Sequence, residues 1–301
     1  MNNDFLEEEI RCDFKVDKSR KLLWKIELDM MERFVEVCKK YNLQYFLLGG
    51  SAIGAVRHQG FIPWDDDIDI GMKRKDFDIF MKKCIDEFKE PYFVQYVEGN
   101  QHFDGILRIR NSDTTGILYC DWDKQCNSGI FIEIYPLDNV PDSKLLRWVQ
   151  NTKVRFYYGA IIRRIYQFED SFLKHAIYRL CKRISLENLL KRYEKACRKY
   201  EHAKTKCCNT VTTPEAARKE HNLIRNEDIQ EMVEVPYEYM MLSVPNGNER
   251  VLTQHYGDYM TLPQIEERGN YHNETVYYDP YKSYKDLVGS KEVKEYFHIK
   301  Q

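Results

Sequence analysis

The chain has 301 residues, 43% of them apolar, with a formal net charge of −2 and a pI near 6.5. That length and apolar share support a sizeable core, in one elaborated domain or a domain with a helical subdomain. The near-neutral balance excludes a general nucleic-acid binder, which would carry a strongly basic face.

In chain order, the start Asp4-Phe5-Leu6-Glu7-Glu8-Glu9 lacks the positive and apolar regions of a secretion signal. No later stretch approaches the ~20 apolar residues that a membrane-spanning helix needs. A soluble, cytoplasmic protein is expected. The nine cysteines fit that setting: Cys120 and Cys126 are too far apart for a metal knuckle and vicinal Cys207-Cys208 has no matching pair, so reduced thiols are expected.

Residues 21–41 place Leu22, Leu23, Ile26, Met30, Phe34, Val37 and Cys38 at helical spacing, with Leu28 off the stripe, which predicts a helix packed behind a sheet. Tyr45-Phe46-Leu47-Leu48 then reads as a strand halted by Gly49-Gly50. Ser51 is expected to cap a helix over 52–58 that ends at a left-handed Gly60. Unpaired N–H groups near Gly50 and Ser51 would converge at the positive end of that helix and favour a phosphate.

Asp67-Ile68-Asp69-Ile70-Gly71-Met72 alternates, so Asp67 and Asp69 share one face of a strand while Ile68 and Ile70 enter the core. Carboxylates held so close raise each other's proton affinity, and a hard divalent cation relieves them: Mg²⁺, with Mn²⁺ as a substitute. Alone, Gly-Gly-Ser reads as a plain turn and Asp65-Asp66-Asp67 as a solvated loop. Their succession, with the acids running on into an apolar strand, favours a site.

Residues 75–87 read as an amphipathic helix with Phe77, Phe80, Met81 and Cys84 inward, and strands follow at 92–97, 106–110, 115–119 and 129–135. The fold class is α/β (α+β), a mixed β-sheet packed by helices. Arg108 and Arg110, two apart on one strand, form either a basic pair for a pyrophosphate or a charged guard on an edge strand. Lys73 and Arg74 read as solvated helix-start residues.

Residues 143–206 carry 17 Lys or Arg against 5 Asp or Glu. The favoured reading is a helical insertion whose stripe of Tyr157, Tyr158, Ile161, Ile162, Ile165 and Phe168 is core. A peripheral contact with an anionic membrane or a lipid-linked acceptor is the alternative. In the tail, Tyr271-His272-Asn273 and Tyr277-Tyr278-Asp279-Pro280-Tyr281 read as cover for a core edge. His58 and His272 read as satisfied polar residues rather than phosphate contacts.

Leu48-Gly49-Gly50-Ser51 with Asp67-Ile68-Asp69-Ile70 resembles the signature of the nucleotidyltransferase-fold superfamily. The longer wording from Gly49 to His58 and from Gly60-Phe61-Ile62-Pro63-Trp64 to Asp69 resembles the LicD family of phosphotransferases. Phe131-Ile132-Glu133-Ile134-Tyr135-Pro136-Leu137-Asp138 resembles that family's third acidic strand. Val244-Pro245, Tyr256-Gly257-Asp258-Tyr259-Met260 and Pro263 resemble its carboxy-terminal block. The likeness covers about residues 20–265. It departs at the third acid, commonly Asp and here Glu133, one methylene longer, which serves either as metal ligand or as base toward the acceptor.

The resemblance implies a nucleotidyltransferase-like core over 20–142, a basic helical insertion over 143–230 and a carboxy-terminal segment over 231–301 completing the domain. It implies catalysis and metal binding by Asp67, Asp69 and Glu133, with Gly49, Gly50, Ser51, Arg108 and Arg110 on the donor phosphates. The implied donor is a CDP-linked alcohol, most often CDP-choline. The phosphoalcohol goes to a hydroxyl of lipopolysaccharide, teichoic acid or another surface glycan, and CMP is released. Ribitol or glycerol phosphate could replace phosphocholine. Trp64, Tyr119, Trp122 and Tyr135 are available for a choline cage. The rivals are a nucleotidyltransferase that releases pyrophosphate and a non-catalytic binding protein, whose mark would be loss of an acid.

Overall fold

A computed structural model describes residues 3–166, 178, 181, 183–269 and 275–298. A short hairpin, β1 (Glu9–Arg11) and β2 (Phe14–Val16), leads into α1 (Lys18–Tyr41). The α1 helix begins at Asp17, whose side chain accepts from the Arg20 N–H, and ends at left-handed Asn42. Leu28, off the expected stripe, is fully buried. It joins the main core cluster, and α1 as a whole packs against both the sheet and the turn Asn3–Leu6.

After α1 come β3 (Phe46–Leu47), α2 (Gly49–Ile53), β4 (Asp69–Lys73) and α3 (Arg74–Lys83). Strands β5 (Tyr92–Gln95), β6 (Leu107–Asn111), β7 (Thr115–Leu118) and β8 (Ile130–Val140) follow. The eleven-residue β8 organises the sheet. It runs parallel to β4 over 133–137 and antiparallel to β6 over 130–134. Near its end it takes β9 (Cys207–Asn209), which carries β10 (Ile224–Arg225), so the chain after the helical segment rejoins the sheet. The main cluster of buried side chains lies between this sheet and α1, with Ile68, Ile70, Ile132 and Ile134 inside as the alternation requires.

A second apolar cluster joins α4 (Lys144–Ile165) to α5 (Leu186–Cys197) around Phe103 and Tyr193. Ile161 and Ile165 are buried there and Tyr157 and Tyr158 pack against it, whereas Phe168 lies outside the described residues. The hairpin β11 (Met232–Tyr237) and β12 (Met240–Pro245) leads to α6 (Asn248–Tyr256). Finally, β13 (Val276–Asp279) pairs with β7, and α7 (Lys291–Tyr296) follows. Tyr277 and Tyr278 therefore extend a strand edge, while Tyr271, His272 and Asn273 lie outside the described residues. All nine cysteines are free thiols.

Three local expectations are corrected. Ser51 is not a cap: α2 starts at Gly49 behind Leu48, and the Ser51 hydroxyl instead accepts from the Asp69 N–H at 2.8 Å, tying the helix to β4. The left-handed residue after that helix is Gln59, not Gly60. Gly60 is needed because a Cβ there would fall 2.2 Å from the Glu238 carboxylate, which pairs with Arg11. Arg74 is not solvated: it is buried and makes two 2.7 Å hydrogen bonds to Asp138.

Candidate active site

Three strands set the site. In register, Asp69 on β4 lies opposite Glu133 on β8, and Glu133 lies opposite Arg108 on β6. Side chains at one register share a face, so two acids and a guanidinium stand in a row. The turn at Gly49 closes over Asp69. Gly49 holds φ +54°, and a Cβ there would sit 3.3 Å from Asp69 Oδ2 and 3.4 Å from the Tyr256 hydroxyl. A side chain would strain this backbone and crowd the carboxylate.

Asp67 precedes β4 on the same face as Asp69. Burial pushes its carboxyl well above the usual range, and Asp69, Asp65, Glu133 and Asp66 push it further. Five acids contribute to this field and every donor is oxygen, a set that suits a hard divalent cation held by Asp67, Asp69 and Glu133. Glu27, from α1, adds to the negative field: it is fully buried, its two oxygens have no hydrogen-bond partner among the described residues, and burial and then Asp66 raise its carboxyl. On α1, Arg20 and Trp24 both donate to the Asp65 carbonyl, at 2.7 and 3.0 Å.

The Arg108 guanidinium donates to Glu133 Oε1 through Nε at 2.9 Å and Nη2 at 2.5 Å, and to Asp104 through Nη1. Tyr135 donates to the other Glu133 oxygen. Behind Arg108, Nη1 lies 3.2 Å from His102 Nε2, His102 Nδ1 lies 2.7 Å from Asp121, and Tyr166 donates to Asp121 at 3.0 Å. His102, Asp121 and Cys126 cluster closely enough to invite a metal reading. The contacts of His102 with Arg108 and Asp121 engage both ring nitrogens, so this group reads as a hydrogen-bonded buttress for Arg108.

The structure does not bring Arg110 to that row's open end. It is fully buried and donates to Gln95 at 2.5 Å and to the Gly129 carbonyl at 2.7 Å, with Phe131 under its guanidinium. Gly50 meets Asp65: a Cβ at Gly50 would fall 2.6 Å from Asp65 Oδ2, so this carboxylate reaches the glycine turn. His58 faces away, taking a 2.9 Å hydrogen bond from Arg57 and packing edge-on to Trp64.

An open pocket of about 270 Å³ lies against Gly49 and Asp69, lined also by Tyr135, Thr210, His255 and Tyr256. Of the four aromatics considered for a cage, Tyr135 lines it. Trp64 is buried under Arg268, Tyr119 packs on Phe297 and Trp122 lies under Lys294. Sequence reasoning missed Thr210 and His255, and nothing in their spacing marks them. Tyr256 was signalled by the carboxy-terminal block alone. Burial and then Asp69 raise the Tyr256 phenol to about 12.

Asp69 and Glu133 thus stand side by side beneath the Gly49 turn. Residues 42–174 match the family LicD/FKTN/FKRP, nucleotidyltransferase domain. It is similar to the lipopolysaccharide cholinephosphotransferase LicD of Haemophilus influenzae, at 26% identity over 259 residues, covering 83% of this chain and 94% of that protein. Shorter matches reach 40% identity over 68 residues with the uncharacterized protein RP689 of Rickettsia prowazekii and 41% over 61 residues with RT0683 of Rickettsia typhi. These cover 25% and 19% of those proteins.

Proposed function

We propose that this chain is a metal-dependent phosphotransferase that moves a phosphoalcohol, phosphocholine from CDP-choline, onto a hydroxyl of a surface glycan. The observation that carries it is the row of Asp69, Glu133 and Arg108 beside Gly49 and an open pocket. The activity named for the Haemophilus influenzae relative supports the choice of phosphocholine and of a lipopolysaccharide-like acceptor. A teichoic acid acceptor and ribitol or glycerol phosphate remain within the same chemistry.

Asp67, Asp69 and Glu133 would hold Mg²⁺ or Mn²⁺, which neutralises phosphate charge when bound. Gly49, lacking a side chain, leaves phosphate room beside Asp69, and the backbone from Gly49 to Ser51 can donate to its oxygens. Glu133, fixed by Arg108 and Tyr135, orients the acceptor hydroxyl. The acceptor oxygen bonds to the choline-bearing phosphorus as the bond to the CMP oxygen breaks, and the hydroxyl proton passes by way of Glu133 to solvent. A nucleotide-activated donor places the reaction on the cytoplasmic side.

The test is a purified assay with CDP-choline and a glycan acceptor, following CMP by mass spectrometry. Asp67→Asn and Asp69→Asn should each lower kcat by about 100-fold or more, in line with loss of charge stabilisation at a reacting centre. Unchanged turnover in either refutes the metal reading. Incubation with CTP in place of CDP-choline tests the rival: pyrophosphate released there, with no CMP from CDP-choline, would establish the nucleotidyltransferase reading instead.

A further inference from the structure

The α4 helix has two apolar faces, and the core uses one. On the inner face, Val154, Ile161 and Ile165 enter the second core, and Gln150 donates to the Ala196 and Cys197 carbonyls of α5. The stripe whose membrane role the sequence left open is thereby largely spent on packing. The opposite face emerges only from the structure. Leu145 is 68% exposed, Trp148 65%, Val149 41% and Phe156 38%. Their spacing puts them on one side of the first turns of the helix. A large exposed apolar patch on a helix, with an indole at its centre, marks an interaction surface.

Charge selects the partner. The α4 helix itself, residues 144–165, holds six Lys or Arg and no Asp or Glu in a chain whose overall charge is −2, so positive charge is concentrated on it. Lys144 and Lys153 flank the exposed stripe in sequence, and Arg155 beside it pairs with Glu215 at 3.1 Å. A second copy would bring the same positive field against itself. An anionic bilayer offers both things this face lacks: apolar depth for Trp148 and Leu145, and phosphate for the cations. No helix among the described residues is long and apolar enough to cross a membrane, so contact here would be at the interface.

We propose that the outward face of α4, centred on Leu145, Trp148 and Val149, docks the protein on an anionic phospholipid surface. The proposal does not depend on which phosphoalcohol is transferred.

The test is co-sedimentation of the full chain with vesicles of phosphatidylcholine alone and of phosphatidylcholine with one-quarter phosphatidylglycerol, at low and high salt. Expected are binding to the anionic vesicles that weakens with salt, and little binding to the neutral ones. Leu145→Glu/Trp148→Glu should weaken it at least tenfold. Lys144→Glu/Lys153→Glu should do likewise, since each basic residue near such a surface is worth about a factor of five. Circular dichroism and turnover with a water-soluble acceptor should match wild type in both variants, which separates failure here from failure of the transferase reading. Absence of vesicle binding, equal binding to neutral vesicles, or wild-type binding by the Leu145/Trp148 variant overturns the proposal. So does a concentration-dependent dimer, by light scattering, that the same variant abolishes.

Discussion

The Arg108–Glu133 pair can be tested by a double-mutant cycle. Arg108 is 3% exposed and makes two hydrogen bonds to one oxygen of Glu133, others to Asp104 and His102, and a 4.9 Å contact over the Phe131 ring. Arg108→Met keeps most of the apolar stem but leaves Glu133 and Asp104 without their guanidinium. Breaking a buried pair from one side costs about 3–5 kcal/mol. Glu133→Gln removes the charge and keeps the shape, at a cost of about 1.5–3 kcal/mol for the lost charge-assisted bonds. Because the two replacements remove one interaction, the double variant should be at least about 1 kcal/mol more stable than the singles predict. Urea unfolding of the four proteins in EDTA measures this without any contribution from a bound cation. Arg108→Lys should not rescue, since an ammonium cannot span Glu133, Asp104 and His102 in a planar fork. Additivity within about 0.5 kcal/mol, or a loss below about 1 kcal/mol for Arg108→Met, would refute the claim that Arg108 fixes Glu133.

Gly49→Ala should lower kcat by about tenfold or more with the protein still folded, because it adds strain at φ +54° and a methyl 3.3 Å from Asp69 Oδ2; thermal melting and steady-state kinetics on one preparation check it. His58 is held at about 4 by burial, then Arg57 and Arg11. The unfolded chain therefore takes up its proton first, and stability should fall as pH drops from about 6.5 to 4. About 2 kcal/mol of that slope, allowing for solvent at the exposed edge, should vanish in His58→Gln on pH-resolved urea titrations. Glu27 has the opposite sign: a raised acid costs stability once pH exceeds its usual value near 4.5. Glu27→Gln should thus raise Tm at pH 7 in EDTA and leave it nearly unchanged at pH 4, and an equal or lower Tm at pH 7 would contradict the buried, unpartnered assignment.

What was legible in the sequence was local and periodic. The alternation of Asp67 to Met72 and of Phe131 to Tyr135 placed the acids on strand faces, and the structure sets Asp69 and Glu133 at one register. Alternation, however, fixes a face and not a depth. Arg108 and Arg110 share a face as expected, yet one pairs with Glu133 while the other satisfies the Gln95 side chain and a backbone carbonyl deep inside. Which arginine meets a carboxylate depends on the pairing of β6 with β8, a long-range choice that neither segment encodes alone. The pocket was illegible for the same reason. Thr210 follows a strand that returns to β8 after the helical segment, and His255 and Tyr256 close α6. All of them lie far along the chain from Gly49 and Asp69, whose wall they complete. The two faces of α4 show the limit from the other side: both were apolar in the sequence, and only the position of α5 decided which became core and which was left to solvent. A site built by one local motif can be read from that motif, whereas a pocket wall or a surface stripe is defined by what the rest of the chain covers.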